Sequence, residues 1–241
     1  MSRPAVANFR WLAVLVLGAV LAAQGARAER AVYDIYVLGV KAGELEIAST
    51  RNGRQYALAG RLESTGMLSA IRRVRYGAET KGRISGGRFV PDVYSESTDT
   101  GQRRNSARME YRRGVPQVKT YSPARDPKPE DVDPTTQAGT LDPLTALFSI
   151  LRDAPRAAIC DAAERVFDGR RATELRTQPV AGDPSRCRGV YRRVAGYDAE
   201  ELAERREFPF EVTVTPAGGD RVRVTEIVMR SLYGRARVVR R

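Results

Sequence analysis

The stretch AVYDIYVLGVKAGELEIASTRNGRQYALAGRLES, residues 31–64, holds three runs of strand-forming residues separated by glycine turns. Leu45 and Ile47 alternate with Glu44 and Glu46. That period of two puts one face against a core and the other in water, so the run reads as a half-buried strand. Gly39 and Gly43 bracket the first turn, and Asn52-Gly53 between alternating runs is a hairpin signal. Three strands joined by tight turns require antiparallel pairing.

The same pattern continues outward. VRYGAETKGRI (74–84), RFVPDVYSEST (88–98), NSARMEYRR (105–113) and VPQVKTY (115–121) read as successive strands, with Gly86-Gly87, Gly101 and Gly114 at their joints. Pro91 has no N–H to offer a ladder, so it marks an edge or a bulge. Gly39, Gly43, Gly86 and Gly169 sit where the backbone is expected to turn with positive φ. Residues 65–73, TGMLSAIRR, are expected to form one or two helical turns.

Residues 122–140 carry four prolines and read as a loop. LDPLTALFSILRDA follows, and it predicts a central helix around residues 142–153. Asp142 is suited to cap it, Pro143 to its first turn, and Leu144, Leu147, Phe148 and Leu151 fall on one apolar face. Strand patterning resumes at AERVFDGRRATELRTQ, CRGVYRRVAG, FPFEVTVT and RVRVTEIVMRSLYGRARVVR, with hairpin turns at Asp168-Gly169 and Gly218-Gly219. AEELAERRE (199–207) suits a short helix or a loop. About a dozen strands and one helix predict a mainly β fold: a strongly curved antiparallel sheet, an open or partial barrel or β-spiral, forming a single domain over residues 29–241.

Residues 1–28 predict a cleaved signal peptide. Arg3 and Arg10 precede an apolar run over residues 11–23, and Ala26-Arg27-Ala28 is a small-x-small cleavage site. The run is shorter than the ~20 residues a membrane span needs. The expectation is export to the periplasm with cleavage after Ala28, leaving no transmembrane segment in the mature chain.

Cys160 and Cys187 are the only cysteines, 27 residues apart in no redox or zinc spacing. In an oxidising compartment this favours a structural disulfide, with a free or intermolecular thiol as the alternative. The chain has no histidine, which excludes histidine-based triads and histidine metal sites. No phosphate-cradling loop, GxSxG or SxxK motif occurs either. No catalytic residue, metal ligand or cofactor is therefore expected. Paired carboxylates need no motif, and Glu96 and Asp99 in YSESTD are the pair one would nominate for glycan cleavage. Solvated strand and turn positions are the simpler reading of both.

A net charge of +12 and repeated arginine pairs raise the question of nucleic acid. Export and the absence of interleaved aromatics argue against it. Alternating arginines suit the wet face of a sheet, with an anionic envelope component (lipid, lipoprotein or acidic glycan) as the functional alternative. Tyr191 and Tyr197 are expected to fill the core near Cys187, or else to line a groove.

YDIYVLGVKAGELEI, KGRISGGRFVPDVYSEST, LDPLTALFSILR, VFDGRR and CRGVYRRVAGY, in that order, resemble the bacterial envelope family catalogued as domain of unknown function 3108. The resemblance runs from about Tyr33 to Val239. More loosely the chain is similar to lipoprotein-carrier-like proteins and to envelope-integrity proteins with a spiralled sheet. The resemblance implies an exported, mainly β protein and supplies no catalytic residues. The function expected is non-enzymatic: binding an apolar or amphiphilic ligand or an envelope partner, in support of envelope integrity. The alternative is a cell-wall glycan hydrolase using paired carboxylates.

Overall fold

The computed structural model of the protein describes residues 27–66, 73–232 and 234–241. The predicted leader falls almost wholly outside these residues, as do residues 67–72 of the predicted short helix. Six long strands form an up-and-down meander: β1 (Arg27–Val37), β2 (Val40–Asn52), β3 (Gln55–Ser64), β4 (Arg75–Ser85), β5 (Arg88–Asp99) and β6 (Arg104–Arg112). Two short pieces, β7 (Val115–Pro116) and β8 (Thr120–Ser122), both pair with β6. Helix α1 (Pro143–Leu151), β9 (Ala154–Pro155) and helix α2 (Arg156–Cys160) follow. A second meander comprises β10 (Ala163–Phe167), β11 (Ala172–Val180), β12 (Asp183–Ala195), β13 (Glu207–Pro216), β14 (Arg221–Ser231) and β15 (Gly234–Arg240), with helix α3 (Ala199–Glu204) between β12 and β13.

The strands make one antiparallel sheet of order β10-β11-β12-β13-β14-β15-β1-β2-β3-β4-β5-β6-β7. Because β15 pairs with β1, the first and last strands lie in the middle of the sheet. Both edges therefore fall mid-chain, and the segment joining them contains α1. Strands of 9 to 13 residues accumulate right-handed twist, and a sheet this wide curls on itself. It stays open, as an unclosed partial barrel.

The gap between the edges is stitched rather than paired. Gly139 donates to the carbonyl of Gly114 beside β7, at 2.8 Å. Leu141 forms an isolated parallel bridge with Val166 of β10, its N–H donating to Arg165 O and its carbonyl accepting from Phe167 N. One extended segment thus occupies backbone groups of the β10 edge that would otherwise lack partners.

Most turns fall where the glycines predicted them. Gly39, Gly86 and Gly169 have positive φ. Gly43 does not, and its role is different: a Cβ there would lie 2.7 Å from Glu63 O on the neighbouring strand, so the residue permits a close backbone approach. Pro91 lies at a bulge, with Lys81 opposite Val93 and Gly82 opposite Pro91, which leaves Asp92 as the extra residue. The strand predicted over 115–121 is broken into β7 and β8. Between them Val118 is 76 % exposed while Lys119 turns inward.

Helix α1 is shorter than predicted and buried on more than one face. Leu144, Thr145, Ala146, Ser149, Ile150 and Leu151 are all buried, whereas Leu147 and Phe148 of the predicted apolar face are half-buried. The helix lies inside the curled sheet, where most of its surface meets protein. Gly60 of β3 makes room for it: a Cβ there would sit 2.7 Å from Leu144 Cδ1. Phe148 packs on both main apolar clusters. One surrounds Tyr33, Leu151, Ile159, Val212 and Val224 with the two cysteines, and the other surrounds Tyr56, Leu58, Tyr94, Met109 and Phe167.

Candidate functional site

Three polar side chains of the sheet hold α1. Thr80 of β4 donates to Asp142 Oδ1 at 2.8 Å, the Tyr56 hydroxyl of β3 lies 3.3 Å from Thr145 Oγ1, and Tyr33 of β1 donates to Leu151 O at 3.1 Å. Asp142 caps the helix as predicted, accepting from Thr145 N at 2.9 Å and Thr145 Oγ1 at 2.6 Å. It is completely buried, and burial pushes its carboxyl above the usual aspartate range despite those donors.

A second polar cluster lies where the sheet edges approach each other. Glu96 of β5 accepts from the hydroxyls of Tyr94 at 2.7 Å and Tyr76 at 2.8 Å, and from Lys119 Nζ at 2.5 Å. Lys119 Nζ also donates to Asp168 O in the β10–β11 turn at 2.6 Å, and lies 5.5 Å from the ring centres of Tyr94 and Tyr121. One ammonium thereby ties β5 to the far edge of the sheet. Burial pushes the pKa of the Glu96 carboxyl up, but Lys119 and the two hydroxyls outweigh it and hold it below the usual glutamate value.

The nominated pair Glu96 and Asp99 is not brought together. Strand alternation sends Glu96 to the inner face with Tyr94, while Asp99 closes the β5–β6 turn. There it accepts from Gly101 N at 2.8 Å and Arg104 Nε at 3.0 Å. The Gly101 amide, aided by Arg104, holds the Asp99 carboxyl below its ordinary value. Sequence reasoning missed Lys119, although a lysine between Val118 and Tyr121, in a chain whose cations are nearly all arginine, was a signal available to it.

Cys160 and Cys187 are bonded and fully buried, with Cα atoms 5.3 Å apart, and they join α2 to β12. Tyr191 packs on the cluster that contains them. The Tyr197 hydroxyl lies 3.5 Å from that of Tyr191, and the guanidiniums of Arg171 and Arg193 lie 4.6 and 5.1 Å from the Tyr197 ring centre. Among the described residues no helix is long and apolar enough to cross a membrane.

The space inside the curl is nearly filled. Two small cavities, of about 20 and 100 Å³, lie at the mouth where α1 ends. The largest concavity is on the outer face, a trough of about 700 Å³ across β2 to β6 and β8. Small residues in cross-strand register floor it: Ala48 opposite Ala59, then Gly77, Ser97, Ser106 and Ser122 in successive pairs. Arg61, Arg108, Glu46 and Glu79 flank the trough, so its surface is polar with both signs of charge.

The family model described as protein of unknown function (DUF3108) matches residues 32–186, from β1 into the start of β12. The match stops short of CRGVYRRVAGY, the last motif of the resemblance. No curated protein matches the chain. A crystal structure of a beta-barrel-like protein of domain of unknown function DUF1849 from Brucella abortus aligns at 12% identity with a TM-score of 0.47, covering 88% of this chain and 94% of that one. With the motifs of its first meander, its central helix and Cys160 all inside the matched stretch, the chain belongs to the DUF3108 family.

Proposed function

We propose that the protein is exported to the periplasm, is cleaved after Ala28, catalyses no reaction, and supports the envelope by binding one of its components on the outer surface. The observation that carries this reading is the filled interior. Pockets that enclose small ligands are ~300–1,000 Å³, whereas α1 leaves inner cavities of only about 20 and 100 Å³. Carriage of an acyl chain inside the curl has no space. Of the surface concavities, which include one of about 490 Å³ beside it and one of about 390 Å³ over β12 to β15, the trough over β2 to β6 offers a partner the most space, at about 700 Å³. The buried disulfide supports maturation in an oxidising compartment. Both nominated carboxylates are held below their ordinary values, which suits neither to donate a proton to a glycosidic oxygen at neutral pH.

Native mass spectrometry of protein purified gently from the periplasm tests the reading. The expected species is the oxidised chain beginning at Glu29 without a retained acyl lipid. A stoichiometric lipid that survives purification overturns it. A photo-crosslinking residue at Ser106 in the trough is expected to capture an envelope component that the same residue at Thr215 on β13 does not; equal capture at both places removes the trough as the binding surface.

A further inference from the structure

The 100 Å³ cavity at the mouth of the curl is bordered by three arginines, Arg51 at the end of β2, Arg152 just after α1, and Arg221 at the start of β14, together with Glu29 and Asp153. A helix C-terminus favours one cation beside it, but gives no reason for two more. Arg152 makes no ion pair among the described residues, and its Nε–H is buried without an acceptor. Its recorded side-chain partner is the ring of Phe89, whose centre is 5.4 Å from Cζ. Burial, and then the like charge of Arg221, disfavour its charged form. A buried guanidinium N–H without an acceptor calls for an explanation such as a bound ion.

The carboxylates nearby form no direct ion pair with Arg152 among the described residues, although Glu29 and Glu164 favour its charged form at a distance. Asp153 is already shared by Arg223 at 2.6 Å and Arg240 at 3.0 Å, and Arg221 donates to its backbone carbonyl. Glu29 lies 3.7 Å from Arg221. Glu164 faces Arg88 and Arg152 beyond ion-pair distance, and burial raises its pKa and favours the neutral form. A cavity with three arginines and two carboxylates on its border remains. It has room for about three waters at ~30 Å³ each, the size of one oxyanion and too small for an acyl chain. Phe148 and Phe89 wall its other side.

We propose that this cavity binds a single phosphate group, free or as the head of a phospholipid, through Arg152 with Arg51 and Arg221. Guanidinium groups match phosphate oxygens with paired N–H donors, and three arginines border this cavity. The site is independent of the trough and of the reading given to it.

The test is thermal unfolding and titration calorimetry of the purified protein with inorganic phosphate, sodium acetate, and a short-chain phosphatidic acid below its micellar concentration, against chloride at equal ionic strength. Phosphate at a hundredfold excess over its Kd is expected to raise the Tm by about 5–10 °C over chloride. Arg152→Met is expected to fold with an unchanged or higher Tm in chloride and to weaken phosphate binding at least tenfold. Arg51→Met, on an exposed strand end, is expected to weaken it several-fold, and it decides the matter if Arg152→Met fails to fold. A lipid at least tenfold tighter than inorganic phosphate assigns the site to a headgroup, and equal affinities assign it to free phosphate. The proposal is overturned by three results: no phosphate-specific shift, acetate acting as strongly as phosphate, or variants that bind as wild type does.

Discussion

Lys119 is a cation with 3 % of its side chain exposed, held by one carboxylate, one carbonyl and two aromatic faces. Removing one partner of a buried pair leaves the other charge desolvated, at a cost of ~3–5 kcal/mol. Glu96 retains some contact with water, so Lys119→Met is expected at the lower end, about 3 kcal/mol, read as a fall in urea midpoint. A loss below about 1 kcal/mol would mean that the clasp between the edges is not structural. Glu96 has a folded pKa below its unfolded one, so its contribution is full above about pH 4.5 and fades as pH falls through the lower folded value. Glu96→Gln is expected to flatten the acid limb of stability against pH, and an unchanged limb would refute the assignment. At the β1–β2 turn Leu38 adopts φ +51° while 71 % exposed. That conformation costs an L-residue ~1–2 kcal/mol. Leu38→Asn, which tolerates it, is expected to raise the Tm by about 2–4 °C.

Helix α1 is specified by polar contacts as much as by its apolar side chains. Asp142→Ala removes the cap and orphans the hydroxyl of Thr80, leaving Thr145 only its contact with Tyr56, so a loss of about 2 kcal/mol is expected. Asp142→Asn keeps the acceptor without the buried charge and is expected to stay within about 1 kcal/mol of wild type. The pH dependence separates the two effects. Asp142 has a raised folded pKa, so its contribution is present below the unfolded value and lost as pH rises through the folded one, opposite in sign to Glu96. The Asn variant should therefore gain relative to wild type on going from pH 4 to pH 7; a relative loss would contradict the burial of an ionisable cap. The hairpins around the helix were legible because their signals are local. Asn52-Gly53, Gly86-Gly87 and Gly218-Gly219 each join strands that are neighbours in sequence, and a turn residue with its flanking alternation is enough to mark them. The inward turn of Lys119 was not legible, since the carbonyl it reaches lies in a turn 49 residues away.

At the scale of the molecule the sheet is closed by things other than strand pairing: residues 139–141, Lys119, and the disulfide that fixes α2 to β12. The disulfide lies in the cluster that seats the end of α1, so its loss loosens both the segment between the edges and the second meander. Replacing both cysteines by alanine is expected to cost about 2–4 kcal/mol in urea unfolding under oxidising conditions. A change below about 1 kcal/mol would show that the rest of the clasp suffices alone. The same architecture bears on function. A curled sheet emptied of its helix would be a vessel, and one filled by it presents only its outer face and its mouths.

The sequence by itself determined the mainly β class, the positions of most turns, the cap and start of the central helix, and the one possible pairing of cysteines. All of these rest on periodicity, turn chemistry or counting, which act over a few residues or over none. Only the tertiary structure decided that the helix plugs the curl, that Glu96 belongs to Lys119 rather than to Asp99, and that Arg152 faces a cavity with Arg51 and Arg221. Those outcomes depend on which residues a strongly twisted sheet brings together across 23 to 170 positions of chain, and no local pattern encodes the curvature that does so.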